Sequence, residues 1–99
     1  MRYTLQQTRQ FRKWLERTID RTVKIKVLAR LNNIENGNFG DVDTIGKNLY
    51  ELRFHFGSGP RIYYTIQGNT IVILLIGGNK STQSSDIKKA TKLLDSLEE

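Results

Sequence analysis

The spacing of hydrophobic residues changes along the chain, and the first part has the spacing of helices. "MRYTL" at residues 1–5 has the composition of a short strand, and Thr8 is a residue type that caps helices. Apolar residues then recur at helical spacing: Phe11, Trp14, Leu15 and Ile19. The pattern predicts a first helix that ends near Asp20, with Trp14 more simply explained as a core residue than as a ligand platform.

A second helix is predicted from Thr22 to the sequence "NGN", in which Gly37 is a typical residue after a helix end. Its inner face is expected to hold residues spaced three apart: Ile25, Leu28, Leu31 and Ile34. Its outer face is expected to carry Lys24, Lys26 and Arg30. The two helices form a predicted helical hairpin whose apolar sides must cover another element.

Alternating residues mark the strands that follow. The polar, Gly-rich residues 37–48 contain one short candidate strand, Val42–Ile45. In "LYELRFHF" one face is predicted to hold Tyr50, Leu52, Phe54 and Phe56, and the other Leu49, Glu51, Arg53 and His55. After the turn "GSGP", "RIYYTI" alternates in the same way, with Arg61, Tyr63 and Thr65 on the polar side.

The last part of the chain predicts a buried strand and a helix. "TIVILLI" is apolar on both faces, which is typical of a central strand covered on both sides. A final amphipathic helix is predicted from near Ser85. The order of elements predicts a single α+β domain over residues 1–99. An N-terminal strand and a helical hairpin pack on a small, mainly antiparallel twisted sheet, a C-terminal helix follows, and the helices lie on one face.

Composition excludes several functional classes. There is no Cys and one His, so disulfides and zinc sites built from Cys or several His residues are excluded, and neither a metal nor a cofactor is expected. The N-terminus does not resemble a secretory signal, and the longest apolar run, of seven residues, is far below the roughly 20 of a membrane helix. A cytoplasmic protein is therefore expected. The net charge of +6 favours an anionic partner such as nucleic acid or an acidic protein.

Strand pairing predicts a cluster of cations. The two alternating strands flank one turn, so Arg53 and Arg61 should lie together, with Glu51 as a candidate partner of Arg53. His55 and Tyr63 are expected nearby. The next strand should then bring Lys80 to the same edge. This cluster suits a phosphate or oxyanion, although a solvated polar face is the simpler explanation of the two strands alone.

The sequence around Lys80 is "IGGNKSTQSSD". Its Gly77 and Gly78 are expected to let the backbone leave the sheet. "GGNKST" is similar in composition to a phosphate-binding loop, but the earlier glycine of G-x-x-x-x-G-K-[ST] is Leu74 here, and Asn79 precedes the lysine. The sequence therefore argues against a nucleotide hydrolase.

An ordered set of motifs resembles one known family. The motifs are "YELR", "G-x-G-x-R-x-Y-Y" and "LL-x-GG-x-K-x-x-Q-x-x-D-I-x-x-A", preceded by "F-x-x-W-L" and "A-R-L…GN-F-GD". Together they span about residues 11 to 94. In this order they resemble the HigB-like branch of the RelE/ParE toxin superfamily, the addiction-module killer proteins.

The resemblance implies a toxin of a type II toxin–antitoxin system that cuts mRNA in the ribosomal A site and is neutralised by a cognate antitoxin. The nucleophile would be the 2′-OH of the mRNA, so the reaction would need no metal. By position in the motifs, Arg61 would stabilise the transition state, while Arg53 and Lys80 would act on the backbone phosphate. Contacts with the ribosome and its rRNA are expected from Lys24, Lys26, Arg30 and Lys47.

The proton-transfer groups stay open at this level. Lys80 is either a clamp or a base, because crowding by other cations favours its neutral form. The other candidates for a base or a substrate-orienting group are Glu51, His55, Asp43, Gln83 and Tyr63. Gln83 is as readily explained by helix capping. His55 titrates near neutrality when unperturbed, but a single His on a half-polar strand is more often structural.

Two other functions compete with this interpretation. A ParE-like poison of DNA gyrase would have no ribonuclease activity and would not need a basic cluster around Arg61. A binding module that regulates its own operon together with its antitoxin is the third hypothesis. Cleavage of mRNA during in vitro translation distinguishes the first hypothesis from the other two.

Overall fold

The computed structural model describes residues 2–98, and its elements follow the predicted order. The strands are β1 (Thr4–Gln7), β2 (Val42–Gly46), β3 (Leu49–Arg53), β4 (Pro60–Gln67) and β5 (Ile71–Asn79). The helices are α1 (Arg9–Lys13), which continues as a π-helical segment (Trp14–Thr18), then α2 (Arg21–Glu35) and α3 (Gln83–Glu98). A 3₁₀ turn, Lys80–Thr82, leads into α3, so the last helical region begins before the predicted Ser85.

The five strands form one mixed sheet in the order β1-β5-β4-β3-β2. β1 pairs with β5 in parallel, and the other three pairs are antiparallel. The prediction of a mainly antiparallel sheet is confirmed. The first strand begins later than predicted from "MRYTL", and Met1 lies outside the described residues.

Helices cover both faces of this sheet, so the prediction that they all pack on one face was wrong. On one face, α1, the π-helical segment and α2 pack on Leu52, Ile62, Tyr64, Val72 and Leu74. On the other face, Ala90 and Leu94 of α3 pack on Leu49, Tyr63, Ile73 and Leu75. The residues of β5 are apolar on both faces of the sheet, so this strand needs a packed layer of helices on each face.

The buried face of α2 differs from the predicted one. Val27, Leu31 and Ile34 are buried, with the spacing of four and three that a helix face requires. Ile25 and Leu28, expected inside, are 58% and 45% exposed. A helix has about 3.6 residues per turn, so residues spaced regularly by three move gradually around its surface. Ile25 and Ile34, which are nine residues apart, therefore do not lie on the same face. None of the helices within residues 2–98 has the length and apolar character that crossing a membrane requires.

Gly77 and Gly78 lie inside β5, and the prediction that they form the exit from the sheet was wrong. A Cβ on Gly77 would stand 2.2 Å from Cδ2 of Trp14. A Cβ on Gly78 would stand 1.8 Å from Oδ2 of Asp86, on the side of α3. The two glycines are therefore required by close packing of an indole ring and a carboxylate on opposite faces of the strand.

Candidate active site

An open groove of about 450 Å³ lies where β3 ends, β4 begins and β5 leads into the 3₁₀ turn. Its lining residues are Phe54, His55, Phe56, Gly57, Ser58, Gly59, Arg61 and Lys80. The groove contains both a fixed guanidinium and a lysine side chain. Among the side chains that the structure describes, no carboxylate lies within 4.0 Å of the charged nitrogen atoms of Arg61 or Lys80. Both cations can therefore meet an anion that enters the groove.

Arg61 is held in place by the backbone around it. Its side chain is buried, and Nη1 donates to the carbonyl oxygens of Phe54 at 3.2 Å, Gly59 at 3.0 Å and Pro60 at 3.1 Å. Nε is buried and has no protein acceptor. A guanidinium keeps its charge at neutral pH, so this position supplies a preorganised positive charge at the wall of the groove.

Lys80 directly follows β5 and lines the groove beside Ser58 and Gly59 of the β3–β4 loop. Its backbone N donates to the carbonyl of Ser58 at 3.3 Å. Gly59 has a φ of +69°, and a Cβ there would stand 3.3 Å from Cβ of Lys80 and 3.4 Å from Nη1 of Arg61. The structure thus brings Lys80 and Arg61 together around Gly59, at the edge that strand pairing predicted.

The polar residues after β5 form a capped turn. The Asn79 side chain accepts hydrogen bonds from the backbone N atoms of Ser81 at 2.9 Å and Thr82 at 3.1 Å. The Thr82 hydroxyl accepts in return from the backbone N of Asn79 at 3.1 Å. This reciprocal capping explains the Asn, Ser and Thr residues around Lys80 without a phosphate.

Arg53 lies opposite Arg61 in the β3–β4 register, but its side chain is paired with other residues than predicted. Its Nη2 lies 3.4 Å from Asp41 Oδ1, and its Nη1 lies 3.7 Å from Asp43 Oδ2. Glu51 was expected as its partner, and that prediction was wrong. Arg53 does not line the groove. Asp43, one of its two carboxylate partners, lies on the neighbouring strand β2.

His55 is the groove residue whose side chain is hydrogen-bonded to a carboxylate. It is exposed, and its Nε2 makes a short hydrogen bond to Oδ2 of Asp41. This bond, with a further contribution from the charge of Arg53, holds the pKa of Asp41 below its ordinary value. Since Nε2 is hydrogen-bonded to Asp41, Nδ1 is the ring nitrogen that remains for a bond to another group.

Asp41 is the residue that reasoning from the sequence missed. It lies in "GN-F-GD", but its place in a loop gives no periodic signal. The loop is fixed by Arg30, which donates to the carbonyls of Phe39 at 3.1 Å and Asp41 at 2.6 Å, and also to that of Arg53. These long-range contacts, together with a backbone hydrogen bond of 3.0 Å from the Arg53 N to the Asp41 carbonyl, bring Asp41 to Arg53 and His55.

Three candidate residues lie away from the groove: Glu51 and Tyr63 on the sheet, and Gln83 at the start of α3. Glu51 is fully buried and accepts a hydrogen bond of 2.6 Å from Nε2 of Gln83. Tyr63 is also buried, and burial together with the neighbouring Glu51 carboxylate raises the pKa of its hydroxyl. The expectation of a solvated polar face was therefore wrong for Glu51 and Tyr63. Gln83 neither caps the helix nor faces the groove, because it holds Glu51.

The expected RNA-binding cations are divided between different places. Lys26 places its Nζ 4.2 Å from the ring centroid of Phe56, which lines the groove. Arg30 was expected on the outer face, but its guanidinium is turned inward to three carbonyls, and burial lowers its pKa. Lys24 is half-buried on α2. Lys47 is exposed in the β2–β3 turn, at the opposite end of β3 from the groove.

The chain belongs to the family described as "Phage derived protein Gp49-like (DUF891)", whose model matches residues 13–95. An uncharacterized protein of Haemophilus influenzae is 39% identical over 97 residues, which cover 98% of both chains. The family match extends from the π-helical segment through the groove to α3.

Solved structures share the fold. The E. coli toxin RelE, a double mutant in the free state, matches with a TM-score of 0.72 and 21% identity over 93% of this chain and 97% of that chain. A chain of the intact E. coli RelBE toxin–antitoxin complex matches with a TM-score of 0.64 and 20% identity over 78% and 95%. The predicted resemblance to the RelE/ParE superfamily and the predicted fold class are confirmed.

Proposed function

We propose that this protein is the toxin of a type II toxin–antitoxin system and acts as a ribosome-dependent mRNA endoribonuclease. One observation carries the proposal: Arg61, Lys80 and His55 meet at one open groove on a chain with the RelE fold. The groove offers two cations to a phosphate and an exposed imidazole beside them. A DNA gyrase poison has no need of such a combination.

The proposed reaction is attack of the mRNA 2′-OH on the adjacent phosphorus. The 2′ oxygen forms a bond to phosphorus as it loses its proton, and the bond from phosphorus to the 5′ oxygen breaks as that oxygen gains one. The products are a 2′,3′-cyclic phosphate and a 5′-hydroxyl. Negative charge grows on the phosphoryl oxygens in the transition state, so Arg61 and Lys80 act by stabilising it.

We assign the proton transfer to His55. It is exposed at the groove, and its hydrogen bond to Asp41 orients the ring. Glu51 and Tyr63 are buried under α3, and Gln83 is occupied by Glu51. Asp43 is turned to Arg53. We therefore do not assign proton transfer or substrate orientation to these four residues, and we propose that Lys80 acts as a clamp.

A cognate antitoxin is the proposed protein partner. The RelBE complex, which contains a chain of the same fold, is a toxin–antitoxin complex. The ribosome and mRNA are the proposed targets, and the cytoplasm is where both are found. The net charge of +6 suits an RNA target and an acidic inhibitor equally.

The test is in vitro translation of a defined mRNA with the purified chain, with primer extension to map cleavage, in the presence and absence of ribosomes. We expect cleavage only with ribosomes, and fragments that end in a 2′,3′-cyclic phosphate. His55→Ala should slow cleavage, and Lys92→Ala is the control because it changes an exposed residue of α3 that does not line the groove. Intact mRNA together with gyrase-dependent DNA breaks would contradict the proposal.

A further inference from the structure

A second basic surface, separate from the groove, covers the exposed side of the first helix. It surrounds a shallow depression of about 390 Å³ lined entirely by charged residues: Arg9, Arg12, Lys13, Glu16 and Arg17. All five side chains are exposed. Their spacing of three and four places them on one side of α1 and the π-helical segment. We call these residues the α1 basic face.

The α1 basic face carries four cations and one carboxylate. Glu16 lies 3.5 Å from Nε of Arg12, and their side chains are 52% and 66% exposed. An exposed pair of this kind is weak, and it leaves three positive charges in excess on this side of the helix. The candidate RNA-binding residues chosen from the sequence did not include any of them.

The composition of the α1 basic face favours nucleic acid over protein. Protein interfaces bury an apolar core with a polar rim, and no apolar side chain lines this depression. Contacts with a nucleic-acid backbone are made mainly by Arg and Lys side chains, and such interfaces are more positively charged than those between proteins. A charged helix face without apolar residues therefore suits a row of phosphates.

The π-helical segment that carries part of the α1 basic face also lines a cavity next to the candidate active site. Thr18 of that segment and Ser58 of the loop before β4 both line this cavity of about 200 Å³. Thr18 directly follows Arg17, and Ser58 also lines the groove. The segment that carries Glu16 and Arg17 is therefore connected to the groove through the residues around one cavity.

We infer that the α1 basic face binds the phosphodiester backbone of ribosomal RNA and positions the groove on the mRNA. This inference rests on the proposed function, because that function supplies the ribosome as the target. The face contributes affinity and orientation, while the chemistry stays with the groove.

The experiment measures binding of the full chain to purified 70S ribosomes by sedimentation over a series of KCl concentrations. One variant combines Arg9→Gln, Lys13→Gln and Arg17→Gln, leaving Arg12 paired with Glu16. The matched control combines Lys88→Gln, Lys89→Gln and Lys92→Gln, which removes the same charge from exposed positions of α3.

We expect the α1 variant to bind at least about tenfold more weakly than the control, with a salt slope reduced by about 0.7 to 0.9 for each phosphate that is no longer neutralised. Equal binding by the two variants would overturn the inference and leave the proposed function intact. Loss of antitoxin binding with unchanged ribosome binding would also overturn it. If the wild-type chain does not bind ribosomes, the proposed function itself fails, and the inference fails with it.

Discussion

Arg61 differs from the other cations of the groove in how it is held. One of its nitrogen atoms donates to three carbonyls of the surrounding backbone, whereas Lys80 is fixed through its own main chain. A planar guanidinium can make several bonds in fixed directions, and an ammonium group cannot reproduce that geometry. We therefore expect this position to require arginine, because a positive charge alone would not reproduce these hydrogen bonds.

We predict that Arg61→Lys and Arg61→Ala both lower the rate of mRNA cleavage by about 100-fold or more, the range found when an oxyanion-stabilising donor is removed. Single-turnover cleavage on programmed ribosomes measures the rate. Ribosome binding by both variants should stay close to that of the wild type. Cleavage by Arg61→Lys at the wild-type rate would show that charge alone is enough at this position.

Asp41 provides a second prediction at the scale of single residues. Its pKa lies below the ordinary value of 3.8, with the hydrogen bond from His55 as the largest cause and the charge of Arg53 as a smaller one. Because the pKa is lower in the folded state, the ionised carboxylate stabilises the protein above about pH 4, and this stabilisation disappears as the pH falls through the folded-state pKa.

We predict that NMR titration of the Asp41 carboxyl carbon gives a pKa below 3.8, and that His55→Ala raises it. Arg53→Gln should raise it by less, since the Arg53 charge is the weaker influence. An unchanged Asp41 pKa in His55→Ala would remove the His55–Asp41 pair from the mechanism.

At the scale of elements, both helical layers approach the sheet closely at β5. The indole ring of Trp14 covers Gly77, and the carboxylate of Asp86, itself bonded to the Thr82 hydroxyl at 2.5 Å, covers Gly78. A side chain at either position would displace a buried group. The close approach of the π-helical segment to one face, and of α3 to the other, therefore depends on the absence of these two Cβ atoms.

We predict that Gly77→Ala lowers the free energy of unfolding by about 2 kcal/mol or more, as expected when a methyl group is forced into a packed interior. Urea denaturation measures this. Gly46→Ala is the control, because a Cβ at Gly46 in β2 meets nothing within 4 Å. Its effect should stay within about 1 kcal/mol. Equal stability of the two variants would mean that Trp14 moves aside without loss.

Across the whole molecule, the regular elements could be predicted from the sequence, because period-two alternation fixes which strand residues share a face. Because of that alternation, Leu52 and Ile62 face one core and Tyr63 faces the core on the other side of the sheet. The same pairing brought Arg61 and Lys80 to one edge of the sheet.

Other parts depend on contacts that no local pattern records. Helix α2 has apolar residues on more than one side, so Ile25 and Val27 are equally plausible core residues until the sheet is present. The bond between Glu51 and Gln83 joins residues 32 positions apart, and Asp41 reaches His55 from a loop. Residues of this kind are placed by tertiary packing.

The close packing at Gly77 and Gly78 has a consequence for genetics. If expression of the chain stops growth as proposed, cells that survive a selection will carry mutations both at Arg61 and at these two glycines. The first kind should accumulate intact, inactive protein, while the second kind should contain little protein, because an unstable chain is degraded. Immunoblots of the survivors would therefore distinguish residues needed for catalysis from residues needed for a stable fold.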